Sequence, residues 1–91
     1  MTEGEDLEII MYSTSWCPDC VRAKMVLRRL RVPFRDIDVD KSKEGLEIVV
    51  DYNHGQRVVP TIFFPDGSVL VEPSNQELKE KVKGLGLARV E

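Results

Sequence analysis

Both cysteines of the chain lie in Tyr12-Ser13-Thr14-Ser15-Trp16-Cys17-Pro18-Asp19-Cys20, separated by two residues. The segment stands where an apolar strand pattern gives way to a helical one. Proline is accepted at the first helical position, where its missing N–H would have no partner anyway, so Pro18 makes Cys17 the N-cap. A sulfur there faces backbone N–H groups without intrahelical partners and the positive end of the helix dipole, and both favour thiolate over thiol. Cys20 falls about one turn on, on the same side, near enough to close a short disulfide. The chemistry this predicts is thiol–disulfide exchange, with Cys17 as nucleophile and Cys20 as resolving thiol. Zinc is the competing use of a C-x-x-C pair. A structural zinc usually takes four Cys or His ligands, and His54 is the only further candidate, so a site within one chain is a ligand short. A structural staple is weaker still, because a loop enclosing two residues removes little entropy from the unfolded chain.

The elements that must hold this pair follow from periodicity. Leu7 to Tyr12 is short, β-branched and mostly apolar, as a central strand covered on both faces should be. From Pro18 to Arg31 the apolar positions Val21, Met25, Leu27 and Leu30, with Ala23 and Val26 between them, predict a helix with one buried side, ended by Pro33. Phe34 to Val39 reads as a second strand, and Asp40 or Ser42 can cap the helix over Leu46–Tyr52, which breaks near Asn53-His54-Gly55. Strand, helix, strand makes a βαβ unit with a right-handed crossover and parallel strands. Thr61–Phe64 and Ser68–Val71 form a hairpin around Pro65-Asp66-Gly67, and Ser74 with Glu77 has capping-box spacing at the start of a last helix carrying Leu78, Val82 and Leu85. The order is βαβαββα. A C-x-x-C beside a βαβ unit is the thioredoxin-like redox signature.

Composition narrows the class. At 91 residues the chain predicts one domain over 7–91, preceded by a flexible acidic stretch over 1–6. A hydrophobic share of 42% with 32% charged residues is that of a globular domain, which excludes a disordered or fibrous chain. The net charge of -3, with no basic excess, argues against a nucleic-acid partner. No apolar run approaches the ~20 residues of a membrane helix, and the acidic N-terminus is unlike a signal peptide, so a cytoplasmic monomer is expected.

Trp16-Cys17-Pro18-Asp19-Cys20, Val59-Pro60-Thr61, Asp66-Gly67-Ser68 and Pro73-Ser74 together resemble the glutaredoxin-type redoxins, most closely the mycoredoxins, over about Leu7 to Leu87. The resemblance implies an α/β thioredoxin fold, a four-stranded mixed sheet in the order 2-1-3-4 flanked by three helices. It implies a cis bond before Pro60, which would otherwise interrupt a sheet, with Pro60 beside the dithiol. It implies too that the Val59 backbone pairs with substrate as a strand would. Gln56 and Arg57 are expected to meet the carboxylate of a small thiol, and Ser74 to help hold its anionic part at a helix start; solvated side chains and plain capping are the alternatives. Trp16 offers a flat apolar landing surface, or ordinary packing. Asp19 either opposes thiolate formation or complements the helix dipole.

Two departures from the glutathione-using members, Pro18-Asp19 between the cysteines and Val71-Glu72-Pro73-Ser74 before the last helix, argue against glutathione as the preferred thiol. Pro18 also argues against cluster binding, and no bound cofactor is expected. The cosubstrate would be a low-molecular-weight thiol (mycothiol, bacillithiol or glutathione) with its reductase, acting on disulfide-containing or thiolated proteins. One alternative is a dedicated reductant of ribonucleotide reductase recharged by thioredoxin reductase. Another is a zinc-binding module without enzymatic activity.

Overall fold

The structure, a computed structural model, describes residues 8–87. The expected acidic stretch 1–6 and the first strand residue, Leu7, lie outside the described residues. Chain order is β1 (Ile9–Ser13), α1 (Pro18–Arg29), β2 (Phe34–Asp38), α2 (Lys43–Tyr52), β3 (Thr61–Phe63), β4 (Val69–Val71) and α3 (Asn75–Gly84). The sheet runs β2-β1-β3-β4, as the resemblance implies, with β1 and β2 parallel and the other two pairs antiparallel.

Side chains alternate across a strand, and β1 uses both directions. Ile9 and Met11 join Ala23, Val26 and Leu27 of α1, Ile62 of β3, and Leu78 and Val82 of α3 in the larger core. Ile10 and Tyr12 point the other way, to a smaller cluster with Val39 and Val49. α2 lies close over β2 there: a Cβ on Gly45 would come within 2.9 Å of the Ile37 Cγ2, so any larger residue would force a neighbour to shift.

The helix predicted over 18–31 ends two residues early, at Arg29, and Pro33 is not what stops it. Arg31 turns left-handed at φ 56°, and the Val32 and Arg31 N–H groups return to the carbonyls of Leu27 and Arg28. This is the paired-bond ending that satisfies the last free carbonyls. α3 closes in the same manner with Gly86 (φ 72°), while at the end of α2 His54 (φ 57°) turns left-handed ahead of Gly55 (φ 94°), whose N–H returns to the Val50 carbonyl. Val21 and Met25 are a second correction. At 47% and 49% exposure they lie off the buried face, which Cys20, Ala23, Val26 and Leu27 occupy. A turn of 100° per residue leaves 21 and 25 one step round from that stripe.

Register brings four chain segments to one edge of the sheet. Ser13 is paired with Asp38, Tyr12 with Thr61, and Thr61 with Val71. The loop to Cys17, the turn after β2, the Val59-Pro60 approach to β3 and the entry to α3 therefore all meet there.

Candidate active site

Cys17 is the N-cap of α1, with extended backbone (φ -88°, ψ 116°), Pro18 opening the helix, and the Cys20 N–H donating to its Sγ at 3.2 Å. That bond satisfies one of the donors a helix start leaves free, and it strengthens as charge develops on sulfur. Across the cleft the Cys17 thiol faces the Val59 carbonyl at 3.9 Å. The Val59–Pro60 bond is cis. No bond joins the two cysteines; Cys17 is 8% exposed and Cys20 fully buried, so Cys17 lies the nearer of the two to solvent.

Burial pushes the Cys20 thiol up to about 12, helped by its hydrogen bond to Cys17, while the Thr14 backbone and the Lys24 ammonium pull the other way. Lys24 follows Cys20 by one turn and is tied at 2.7 Å to Asp36 of β2, whose second oxygen accepts from Ser13 at 2.5 Å. A cation is thus held one turn from Cys20 by an ion pair that is covered on the lysine side.

The other expected site residues divide. Trp16 is 64% exposed beside Cys17, as a landing surface requires. Pro60 is buried under the loop, and its carbonyl accepts from the Glu72 N–H at 2.9 Å, tying that loop to the entry of α3. Thr61 turns inward: its hydroxyl donates to the Val58 carbonyl at 2.7 Å and accepts from Asn53 at 3.3 Å. It braces the loop and offers nothing to a ligand through its side chain. Gln56 lies exposed on that loop. Ser74 is engaged in a reciprocal capping box, accepting from the Glu77 N–H at 3.0 Å while Glu77 accepts from its own at 2.8 Å. Asp19 is ion-paired with Arg22 at 3.1 Å.

Sequence reasoning missed two residues. Asp40, considered only as a helix cap, leaves that role to Ser42. Instead it accepts from the Trp16 indole N–H at 2.9 Å and is ion-paired with Arg57, whose guanidinium lies 5.6 Å from the centre of the Trp16 ring. Arg22 joins α1 to the entry of α3 through the Pro73 carbonyl at 3.3 Å and the Asn75 side chain at 2.7 Å. Neither had a local signal: the Asp40 contacts arise from strand register at the sheet edge and those of Arg22 from the packing of α1 on α3. Among the described residues no group of three His, Cys, Asp or Glu could hold a metal ion, and no helix is long and apolar enough to cross a membrane.

A reduced C-x-x-C at a helix start, opposite a proline loop on a β2-β1-β3-β4 sheet, defines the redoxin class. The family model described as Glutaredoxin matches residues 9–70, and the chain belongs to that family. It is 39% identical over 74 residues to a glutaredoxin-named protein of Mycobacterium tuberculosis, covering 81% of this chain and 88% of the relative. Similarity to Mycoredoxin 1 of Corynebacterium glutamicum is 36% over 78 residues, covering 85% of this chain and 95% of that one. The glutaredoxin of Archaeoglobus fulgidus superposes with a TM-score of 0.71 at 27% identity, over 92% of this chain and 95% of its own. The chain is thus a thiol–disulfide oxidoreductase, and its family typically uses a low-molecular-weight thiol as cosubstrate.

Proposed function

We propose that this protein reduces protein disulfides, or mixed disulfides between a protein and a low-molecular-weight thiol, through Cys17 and Cys20. The observation that carries the reading is the Cys17 sulfur at the mouth of α1, receiving the Cys20 N–H at 3.2 Å on one side and facing the Val59 carbonyl on the other. Thiolate Cys17 attacks a substrate sulfur, the substrate S–S bond breaks as the new one forms, and the departing thiolate takes up a proton. Cys20 then loses its proton and attacks Cys17 Sγ, which releases the second substrate thiol and leaves Cys17–Cys20 oxidised. Two electrons pass from the dithiol to the substrate. Because Cys20 holds its proton tightly, its deprotonation is the demanding part of resolution, and the Lys24 cation favours it.

Substrate backbone pairs along Val59 beside Pro60, and Trp16 supplies apolar contact area. Protein targets extend over Val21 and Met25, which border a groove of about 630 Å³ between α1 and α3 next to Trp16 and Pro18. The oxidised pair is recharged by a small thiol and its reductase, mycothiol, bacillithiol or glutathione being the candidates, or by thioredoxin reductase. We take the protein to work as a monomer in the cytoplasm, where thiol pools keep such a pair reduced.

The test is reduction of a protein–thiol mixed disulfide followed by mass spectrometry. Cys17→Ser should reduce turnover to background, and Cys20→Ser should accumulate a Cys17-linked mixed disulfide. Normal turnover by Cys17→Ser would overturn the reading.

A further inference from the structure

We propose that Asp40 is a specificity-determining residue that turns carboxylate-bearing thiols away from Cys17. The inference rests on the reading above, in which Cys17 exchanges with mixed disulfides. Arg57 is the cation best placed to greet a carboxylate there, three residues ahead of Pro60 and over the ring adjoining Cys17. Asp40 engages it. One carboxylate oxygen accepts from Arg57 and the other from the Trp16 indole N–H, so a single side chain closes a triangle with the guanidinium and the ring. An incoming carboxylate must share Arg57 with Asp40 and approach its negative charge at close range, where like charges repel. Arg22, on the other flank of the dithiol, is engaged likewise by Asp19, Asn75 and the Pro73 carbonyl. A thiol without a carboxylate meets none of these costs and can rest on the exposed indole face. Asp40 touches no reacting atom; it acts through Arg57 and Trp16 as a positioning residue.

The experiment uses one cysteine peptide, blocked as its mixed disulfide with 3-mercaptopropionate or with the matching amide, probes that differ only in the carboxylate. Asp40→Asn keeps an acceptor for the indole and removes the charge. It should raise the acid-to-amide ratio of kcat/KM roughly five-fold, the scale of one exposed ion pair, through KM rather than kcat. The gain should shrink at high salt and vanish in Asp40→Asn/Arg57→Gln. Trp16 is the only tryptophan, so its emission reports the ring directly: it should hold in Asp40→Asn and shift in Asp40→Ala. An unchanged ratio in Asp40→Asn, or a gain that survives loss of Arg57, overturns the inference. A native protein inert toward both probes overturns the redox reading instead, a result visible before any variant is made.

Discussion

The two faces of the sheet are built to different depths. On the face covered by α1 and α3, eleven buried residues form one continuous core, including the fully buried Ile9, Leu27, Ile62 and Val82. On the face covered by α2 the buried apolar cluster is smaller, Tyr12, Val39 and Val49, ringed by half-covered side chains such as Ile37 and Phe63. The dithiol belongs to the deep face, because Cys20 is on the buried stripe of α1. The loop that opposes it, Arg57 to Pro60, leads out of the shallow one. A reacting pair needs fixed geometry and a substrate loop needs to adapt, and deep and shallow packing supply these two properties in one small domain.

The largest effect that could break this contrast is alkaline. Burial raises both Cys20, on the deep side, and Tyr12, on the shallow side, the latter against the pull of Arg35. An unfolded thiol loses its proton near pH 9 while folded Cys20 keeps it to about 12. Stability from this group is therefore complete below pH 9 and lost as pH rises toward 12. The whole loss is roughly 4 kcal/mol at about 1.4 kcal/mol for each pH unit, with half of it gone by pH 10.5. Urea unfolding of the reduced protein at pH 7.5 and 10.5 measures it. Cys20→Ser should flatten most of the slope and Tyr12→Phe a smaller part. If Tyr12→Phe flattens more, the shallow face is the drier one and the contrast is reversed.

A matched deletion is the next test. Val82 on α3 and Val49 on α2 are the same residue with the same 0% exposure, one in each cluster. Removing two carbons loses transfer free energy equally, but the cavity term depends on whether the surroundings collapse. We expect Val82→Ala to cost about 2.5 kcal/mol and Val49→Ala about 1.5 kcal/mol, because half-covered neighbours can close over the second site. Equal losses by chemical denaturation would mean that α2 is held as firmly as α3.

What the sequence disclosed follows the range of the signal. The C-x-x-C at a helix start, the Pro65-Asp66-Gly67 hairpin and the Ser74/Glu77 box are encoded within a few residues, where backbone chemistry decides the outcome, and each has its expected conformation. Strand order was legible through resemblance and the βαβ pattern. The rim of the site was not. Asp40 meets Trp16 across 24 positions and Arg57 across 17, pairs that exist because strand register delivers their loops to one edge, and Arg22 reaches Asn75 across 53 because α1 packs on α3. The left-handed endings at Arg31 and His54 were hidden for another reason, since glycine is the usual mark of that conformation and neither residue is one. Periodicity also overcounted Val21 and Met25, because apolar residues at the mouth of a groove satisfy the same spacing as core residues.

The smallest test compares the two serine caps. Ser74 on the deep side works in a reciprocal box with Glu77, whereas Ser42 on the shallow side accepts alone from the Gly45 N–H at 3.0 Å. Alanine should cost about 1 kcal/mol at Ser74 and about 0.5–1 kcal/mol at Ser42, the range for losing an N-cap acceptor. The form of the loss should differ as well. With α3 bound into the continuous core, Ser74→Ala should lower the global unfolding free energy, so the slowest amides of β1 and β3 exchange faster. With α2 resting on a thin cluster, Ser42→Ala should speed exchange in the first turn of α2 and leave β1 nearly unchanged. Ser74→Ala also separates capping from ligand binding at the entry to α3. Its hydroxyl and its own N–H are both engaged with Glu77, so KM for a small-thiol mixed disulfide should stay within about two-fold of the native value, below the roughly 1 kcal/mol of one lost hydrogen bond. A KM rising in step with the charge of the thiol would instead make that helix start part of the binding surface.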